Sequence, residues 1–505
     1  MFIREKPNKS GSFSIQIIMK SKGQYKVVES IGVARTSEEK FLLKQRALAR
    51  LNELTNQEKL PLFTERDRKI LEYLKLSTRP QTRNVGPELI LGKMFDKIGL
   101  NKIKEDMFRH ITISRLVYPV SKLKTTEYLL KHHDIDFKIS SVYRFLDRFY
   151  KEHKDDVNKI IYEHSKEVLG EIKIVFYDMT TLYFESEDED DLRKIGFSKD
   201  GKFRNPQIML GLLLGENGYP IGYDVFEGNK FEGHTLVPVI KKIEKKYKLP
   251  KPIIVADSGL LSKDNINNLV KEGYEYIIGA RIKNETKDIQ TKILNKSQNL
   301  EDGKLSFIRK DDGSKLIIGY SVRRSKKDKY NREKGISRLE NDVSSGKLTK
   351  QKINNRGYNK FLYIKNKIEV DIDREKIKED ERWDGLKGYI TNCRMSSKDI
   401  VSYYNELWKI EKAFRISKTD LRIRPIYHRK KERIEAHLCI AFAAYAVFKE
   451  LERSLKINGI NISPAKAIEL SKTILKITFT LPDSKEKIEI FNQNDNLQNL
   501  LINMK

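Results

Sequence analysis

The chain has 505 residues, 39% hydrophobic and 34% charged, and its 99 Lys and Arg against 71 Asp and Glu leave a net charge of +28. That length exceeds one small domain and suggests about three, and the positive excess favours a polyanionic partner, although a lysine-rich coding bias raises charge in the same way. Two cysteines without paired spacing, Cys393 and Cys439, exclude a disulfide framework and a cysteine zinc site, and they fit a reducing cytosolic setting.

In chain order, Ser12–Met19 alternates in polarity, Lys20–Gly23 turns, and Gln24–Ala34 returns as a second strand. A basic helix is predicted over Ser37–Leu54, with Lys44, Arg46 and Arg50 on it. Helical pieces follow at Glu88–Ile98, Lys122–His132 and Ser141–Tyr150, with Pro119 breaking the pattern. Residues 1–165 form an N-terminal region that either binds DNA ends or serves as a basic scaffold. Residues 1–9 lack the apolar core of a signal peptide. The apolar stretches 208–215 and 438–448 are too short to span a bilayer.

From residue 171 the texture changes. Lys173–Tyr177, Ile208–Leu214 and Pro220–Phe226 read as three strands of a meander, with a tight turn at Gly215–Gly218. A helix (Thr235–Tyr247), a strand (Pro252–Ala256), a helix (Ser262–Glu272) and a strand (Tyr274–Ala280) follow. The order βββαβαβ predicts an α/β fold with an RNase H-like mixed sheet over residues 166–280. Residues 281–395 read as a β-rich, basic insertion, with strand-like pieces at Leu305–Arg309, Lys315–Val322, Phe361–Lys365 and Lys387–Thr391. Within it Arg323, Arg324, Lys326, Lys327, Lys329, Arg332 and Lys334 crowd together, either as a solvated loop or as a phosphate-contacting surface. Residues 396–455 return to the core as helices, and 456–505 are polar, with one apolar hairpin-like piece near 477–491.

Two aspartates end apolar runs: Asp178 follows Ile-Val-Phe-Tyr and Asp257 follows Ile-Ile-Val-Ala. Sites in open sheets collect beyond strand ends, and strands one and four are neighbours in an RNase H-like sheet. The two carboxylates are therefore expected to converge, as oxygen ligands for a hard divalent cation. A third acid comes from a helix predicted from about Lys398 to Lys418, started by Ser396 and Asp399. Tyr403, Leu407, Ile410 and Phe414 form its apolar stripe, and Tyr404, Glu411, Arg415 and Lys418 line the stripe beside it. Glu411 then lies mid-helix against the buried edge, where a metal would balance its charge.

The spacing of Tyr404, Glu411 and Lys418 resembles the Tyr-(2)-Arg-(3)-Glu-(6)-Lys signature of bacterial insertion-sequence DDE transposases. Within that family the chain is similar to the group with a strand-rich insertion before the catalytic Glu. Tyr177-Asp178-Met179-Thr180-Thr181-Leu182-Tyr183, Val255-Ala256-Asp257-Ser258-Gly259, Trp408 through Arg415, and Tyr118-Pro119-Val120-Ser121-Lys122 resemble the same group. The likeness covers about residues 170–450. The Arg slot holds Leu407, and Arg415, one turn beyond Glu411, is the candidate substitute.

The resemblance implies cut-and-paste transposition. Asp178, Asp257 and Glu411 hold the catalytic metal, expected as two Mg²⁺ or Mn²⁺ ions per site. Water cleaves each element end, and the freed 3′-hydroxyl attacks target DNA. Tyr404, Arg415, Lys418, Arg323, Arg324, Lys326, Lys327 and His428 are the expected DNA contacts. The expected partners are double-stranded DNA, as inverted-repeat ends and target, and a second copy in a synaptic homodimer, without a membrane. The setting expected is the bacterial cytoplasm, at the nucleoid. His234, His428 and His437 are read as structural or phosphate-facing rather than catalytic, and the acidic run 185–191 as a solvated loop. The alternatives are another RNase H-like nuclease, such as a junction resolvase, and a non-catalytic DNA-binding derivative.

Overall fold

A computed structural model describes residues 1–8, 11–21, 23–55, 72, 81–198, 201–230, 235–259, 263–345, 354, 357–365, 369–480, 487–492 and 496–504. His234 lies outside them. The chain divides into two compact units, residues 1–81 with 478–490, and residues 82–477 with 491–505. The first boundary thus falls at residue 81, whereas the sequence placed one at 165. Among the described residues no helix is long and apolar enough to cross a membrane.

In the first unit, β1 (Phe2–Pro7), β2 (Phe13–Ser21) and β3 (Gln24–Ala34) form an antiparallel sheet, so the expected strand pair gains a third member. α1 (Ser37–Leu54) packs on it and starts with a capping box between Thr36 and Glu39. Ile15, Ile17 and Ile18 of β2 are buried, and the extra residues of the two register shifts, Val28 and Ile31, lie on β3. The basic residues of α1 are partly spoken for: Lys40 and Lys44 pair with Glu5, and Arg50 bridges Glu29 and Glu53. The hairpin expected near 477–491 is present as strands Leu475–Thr480 and Lys487–Asn492.

The second unit opens with helices: α2 (Lys93–Ile98), α3 (Asp106–Val117), α4 (Lys122–His133), α5 (Ile139–Glu152) and α6 (Lys154–Leu169). They pack with the core sheet and with a later helix, so they are part of the same unit. The sheet begins with β4 (Ile174–Tyr183), β5 (Gln207–Leu214) and β6 (Pro220–Glu227), each antiparallel to the next. After α7 (Leu236–Tyr247), β7 (Ile253–Ala256) pairs parallel with β4. After α8 (Lys263–Lys271), β8 (Tyr276–Ala280) pairs parallel with β7. The spatial order β6-β5-β4-β7-β8 is that of an RNase H-like sheet, as the element order predicts.

Three strands of the expected insertion extend this sheet instead of forming a body of their own. After α9 (Lys287–Ser297) come β9 (Leu305–Arg309) and β10 (Lys315–Tyr320). α10 (Val322–Ser344), the hairpin β11 (Leu362–Lys365) and β12 (Glu369–Ile372), and α11 (Arg374–Glu381) then project as a small module. β13 (Leu386–Thr391) returns between β10 and β8, completing eight strands. The basic stretch read as a possible loop is α10, a helix. Its Arg332 is buried against Asp384 at 2.5 Å, while Arg323, Arg324, Lys326 and Lys327 are exposed.

The chain closes over one sheet face with α12 (Ser397–Asn405), α13 (Trp408–Arg415) and α14 (Lys431–Ile457). Ser396 caps α12 as predicted, accepting from the Asp399 amide at 3.2 Å. The predicted single helix is broken, however. At Glu406 and Leu407 the amides bond three residues back rather than four, so the axis restarts at Trp408. α14 is apolar around most of its girth because it lies between α3, α5 and α6 on one side and β6 on the other.

Candidate active site

The strand pleat decides where each acid points. Along β4, Ile174, Phe176 and Leu182 join the core beneath α13 and α14, whereas Val175, Tyr177 and Met179 join the core beneath α7 and α8. Asp178 shares the parity of Phe176 and so faces α13, which packs on β4. It is not at a strand end, contrary to expectation, because Thr180, Thr181 and Leu182 prolong the strand to Tyr183. On β7, Val255 takes the same core as Phe176, which gives Asp257 the same face.

Register brings the two aspartates side by side. Tyr177 is level with Ala256 on the parallel neighbour. Asp178 and Asp257 are the next residues, on strands about 4.8 Å apart. Ala256 is level with Ile278, and Gly279 pairs with Tyr389 on β13. One row across four strands therefore reads Asp178, Asp257, Gly279, Tyr389. Asp178 is half-buried and its Oδ1 accepts the Met179 amide at 2.7 Å. Asp257 is exposed, and its Oδ1 accepts the Ser258 amide at 2.7 Å and the Tyr404 hydroxyl at 3.0 Å.

Tyr404 is buried at 8% exposure and lies over Gly279, where a Cβ would come within 2.4 Å of the phenolic oxygen. The glycine is what lets the ring reach Asp257. Tyr404 meets Tyr389 edge-on at 4.9 Å, and the Lys387 ammonium stands 4.6 Å from its ring centre. Burial, then the charges of Asp257 and Glu411, push the phenol far above its usual range, so it stays a donor. Lys387 is lowered by burial and by Arg324, against the opposing pull of Asp257. Arg324 is thus the residue of the basic helix whose charge is felt beside the acids.

Glu411 occupies the first turn of α13 and is exposed, not pressed against the buried edge. Among the described residues, no group of three Asp, Glu, His or Cys side chains is close enough to enclose one ion. The donor set still suits hard divalent cations: two side-by-side carboxylates, solvent-reachable, with a third on the helix packed over their strand. Arg415 is exposed at the end of α13, and Lys418 is half-buried in the wider turn Ile416–Asp420. Leu407, in the Arg slot, is half-buried against the core at the turn before α13. His428 is not brought to the acids. It contacts Tyr143 and His437, and burial followed by Lys122 and Arg115 pushes it down to about 3. His437 is fully buried, in keeping with a structural reading.

Sequence reasoning missed Gly279, Lys387 and Tyr389. No motif marks them; only the cross-strand register assembles them around Tyr404.

The profile of the family described as Transposase DDE domain matches residues 169–447. No curated protein sequence matches. Among solved structures, the chain is similar to a piggyBac transposase synaptic complex with hairpin DNA, at 12% identity and a TM-score of 0.37, covering 80% of this chain and 79% of that one. It is also similar to a Mos1 transposase paired-end complex with left transposon end, at 14% and 0.16, covering 47% and 74%. A Drosophila P element transposase strand transfer complex stands at 11% and 0.23, covering 71% and 82%. These likenesses are distant, and the assignment rests on the profile, which spans more than half of the chain. The chain belongs to the DDE transposase family, enzymes that cut DNA and join it elsewhere with the help of divalent metal ions.

Proposed function

We propose that Asp178, Asp257 and Glu411 are the metal-holding acids of this transposase, and that it moves an insertion sequence by cutting its ends and joining them to target DNA. The observation that carries this reading is the shared register of Asp178 and Asp257, with Tyr404 donating to Asp257 from the helix that leads to Glu411. Asp178 would contribute to two Mg²⁺ or Mn²⁺ sites, Asp257 to one and Glu411 to the other. When bound, such a pair activates the attacking oxygen and stabilises the leaving one.

The protein's own groups prepare that chemistry. The Tyr404 hydroxyl and the Ser258 amide fix one oxygen of Asp257, which leaves the other for a ligand. Lys387, kept close by the Tyr404 and Tyr389 rings, offers positive charge to the phosphate under attack. Arg415 and Lys418 beyond Glu411, Arg323, Arg324, Lys326 and Lys327 on α10, and His428 meet DNA phosphates. The N-terminal region recognises the element end, and two copies pair the ends in a synaptic homodimer.

The test uses the DNA flanking the coding sequence. Full-length protein with Mg²⁺ or Mn²⁺ is expected to cleave the flanking inverted repeat and to yield strand-transfer products. Asp178→Asn, Asp257→Asn and Glu411→Gln are expected to bind that DNA and leave it uncut. Cleavage at wild-type rate by any of the three would refute its assignment.

A further inference from the structure

A second cluster of cations lies beside α14, away from the acids. Arg115, near the end of α3, and Lys122, at the start of α4, are 6% and 7% exposed. Arginine and lysine are almost never so buried without a carboxylate partner. Here the partners are neutral. Arg115 donates to the His437 ring, at 3.0 Å from Nδ1, and to the Val120 carbonyl at 3.3 Å. His437 Nε2 donates to the Ile423 carbonyl at 3.1 Å, which leaves Nδ1 as the acceptor and the ring uncharged. Among the described residues no carboxylate pairs with Arg115 or Lys122. The neighbouring acid, Asp147, is taken by Arg433 in a two-pronged bond of 2.7 and 2.8 Å. Two basic side chains therefore sit together with no carboxylate to balance them among the described residues, and burial, then the Arg115 charge, pushes the Lys122 ammonium well below its usual range.

We propose that Arg115, Lys122 and His428 receive one phosphate of the DNA backbone. A guanidinium, an ammonium and an imidazole are N–H donors of the kind a phosphate oxyanion accepts from. His428 is half-buried, and Arg429, Lys430 and Lys431 beside it are exposed, so adjoining phosphates would meet cations as well. The position also fits a strand being cut at Asp178. The Ile426 amide donates to the Tyr183 carbonyl at 3.3 Å, and Ile426 pairs with Phe184. This ties the His428 loop to the end of β4, five residues and roughly 17 Å beyond Asp178. The inference rests on the reading that DNA is held at Asp178 and Asp257, and it adds a fixed anchor for the same molecule.

Lys122→Met in the full-length protein keeps the methylenes and removes the charge. Binding of the flanking end duplex is measured against salt, alongside thermal unfolding without DNA. Affinity is expected to fall by about tenfold or more, and the slope of log K against log salt to shrink by about 0.9. The unfolding temperature without DNA should hold or rise, because an unbalanced buried charge has been removed. Lys122→Arg should restore most of the affinity. Unchanged affinity and slope in Lys122→Met overturn the anchor while leaving the transposase reading intact. A lowered unfolding temperature with no rescue by arginine also overturns it, because Lys122 would then be a structural residue. Failure of the wild-type protein to bind duplex DNA sinks both readings.

Discussion

At the residue scale, Tyr404 and Gly279 act as one device. The glycine leaves room for the ring, and the ring delivers a proton donor to Asp257. Tyr404→Phe removes a hydrogen bond to a charged group, a loss of about 1.5–3 kcal/mol, so cleavage should slow by roughly 10- to 100-fold with end binding little changed. Gly279→Ala should reproduce that loss by displacing the hydroxyl, and the double variant should be no slower than the worse single one. Single-turnover cleavage of the flanking DNA reads both effects. Additive losses would separate the two residues. The acids themselves carry more: Asp178→Asn or Glu411→Gln should slow cleavage by about a thousandfold or more, since each removes a ligand from ions that supply several kcal/mol.

At the scale of elements, α10 presents Arg323, Lys326 and Lys327 to solvent while Arg332 anchors it at Asp384. Replacing the three exposed cations by alanine should change stability by no more than about 0.5 kcal/mol each. It should flatten the salt dependence of DNA binding by about 0.9 per lost phosphate contact. A salt titration with an unchanged slope would remove α10 from the DNA surface. Strand and helix identities were largely legible in the sequence: the meander, the parallel β7 and β8, and α1 fall close to where periodicity and caps put them. Two features were not. The Tyr404–Glu411 helix reads as continuous because its apolar stripe persists through Leu407, yet the backbone turns there. The strands of the insertion look like a separate module because β13 finds its neighbours, β8 and β10, more than sixty residues back. Long-range pairing of that kind leaves no local signal. Asp178 and Asp257 were visible because their flanks are apolar, whereas Lys387, on a strand of mixed character, was not.

At the scale of the whole molecule, α14 ties the helical layer to the sheet, and its Glu450 is a buried hub. This carboxylate accepts from His164 at 3.1 Å and pairs with Lys97 at 2.9 Å and Arg453 at 2.7 Å. Glu450→Gln leaves these cations short of a partner and should cost about 3–5 kcal/mol, seen as a clear drop in the unfolding temperature. Although burial opposes it, the bonds from His164, Arg453 and Lys97 hold Glu450 well below the usual carboxylate range. Burial first, then neighbouring charge, lowers His133 to about 4 and His428 to about 3. In each case the unfolded chain takes up its proton at a higher pH than the folded one. Stability should therefore decline as pH falls below about 6.5, where the unfolded histidines titrate, and decline faster below about 4.5, where the unfolded glutamate does. Thermal melts from pH 8 to pH 4 check this, and a flat profile would contradict it. The central claim concerns the three acids, and Mn²⁺ titration of the protein bound to its end DNA, followed by electron paramagnetic resonance, addresses it most directly. The account predicts two bound ions in the wild type, loss of both in Asp178→Asn, and loss of one in each of Asp257→Asn and Glu411→Gln. Unaltered Mn²⁺ binding by any of these variants would contradict it.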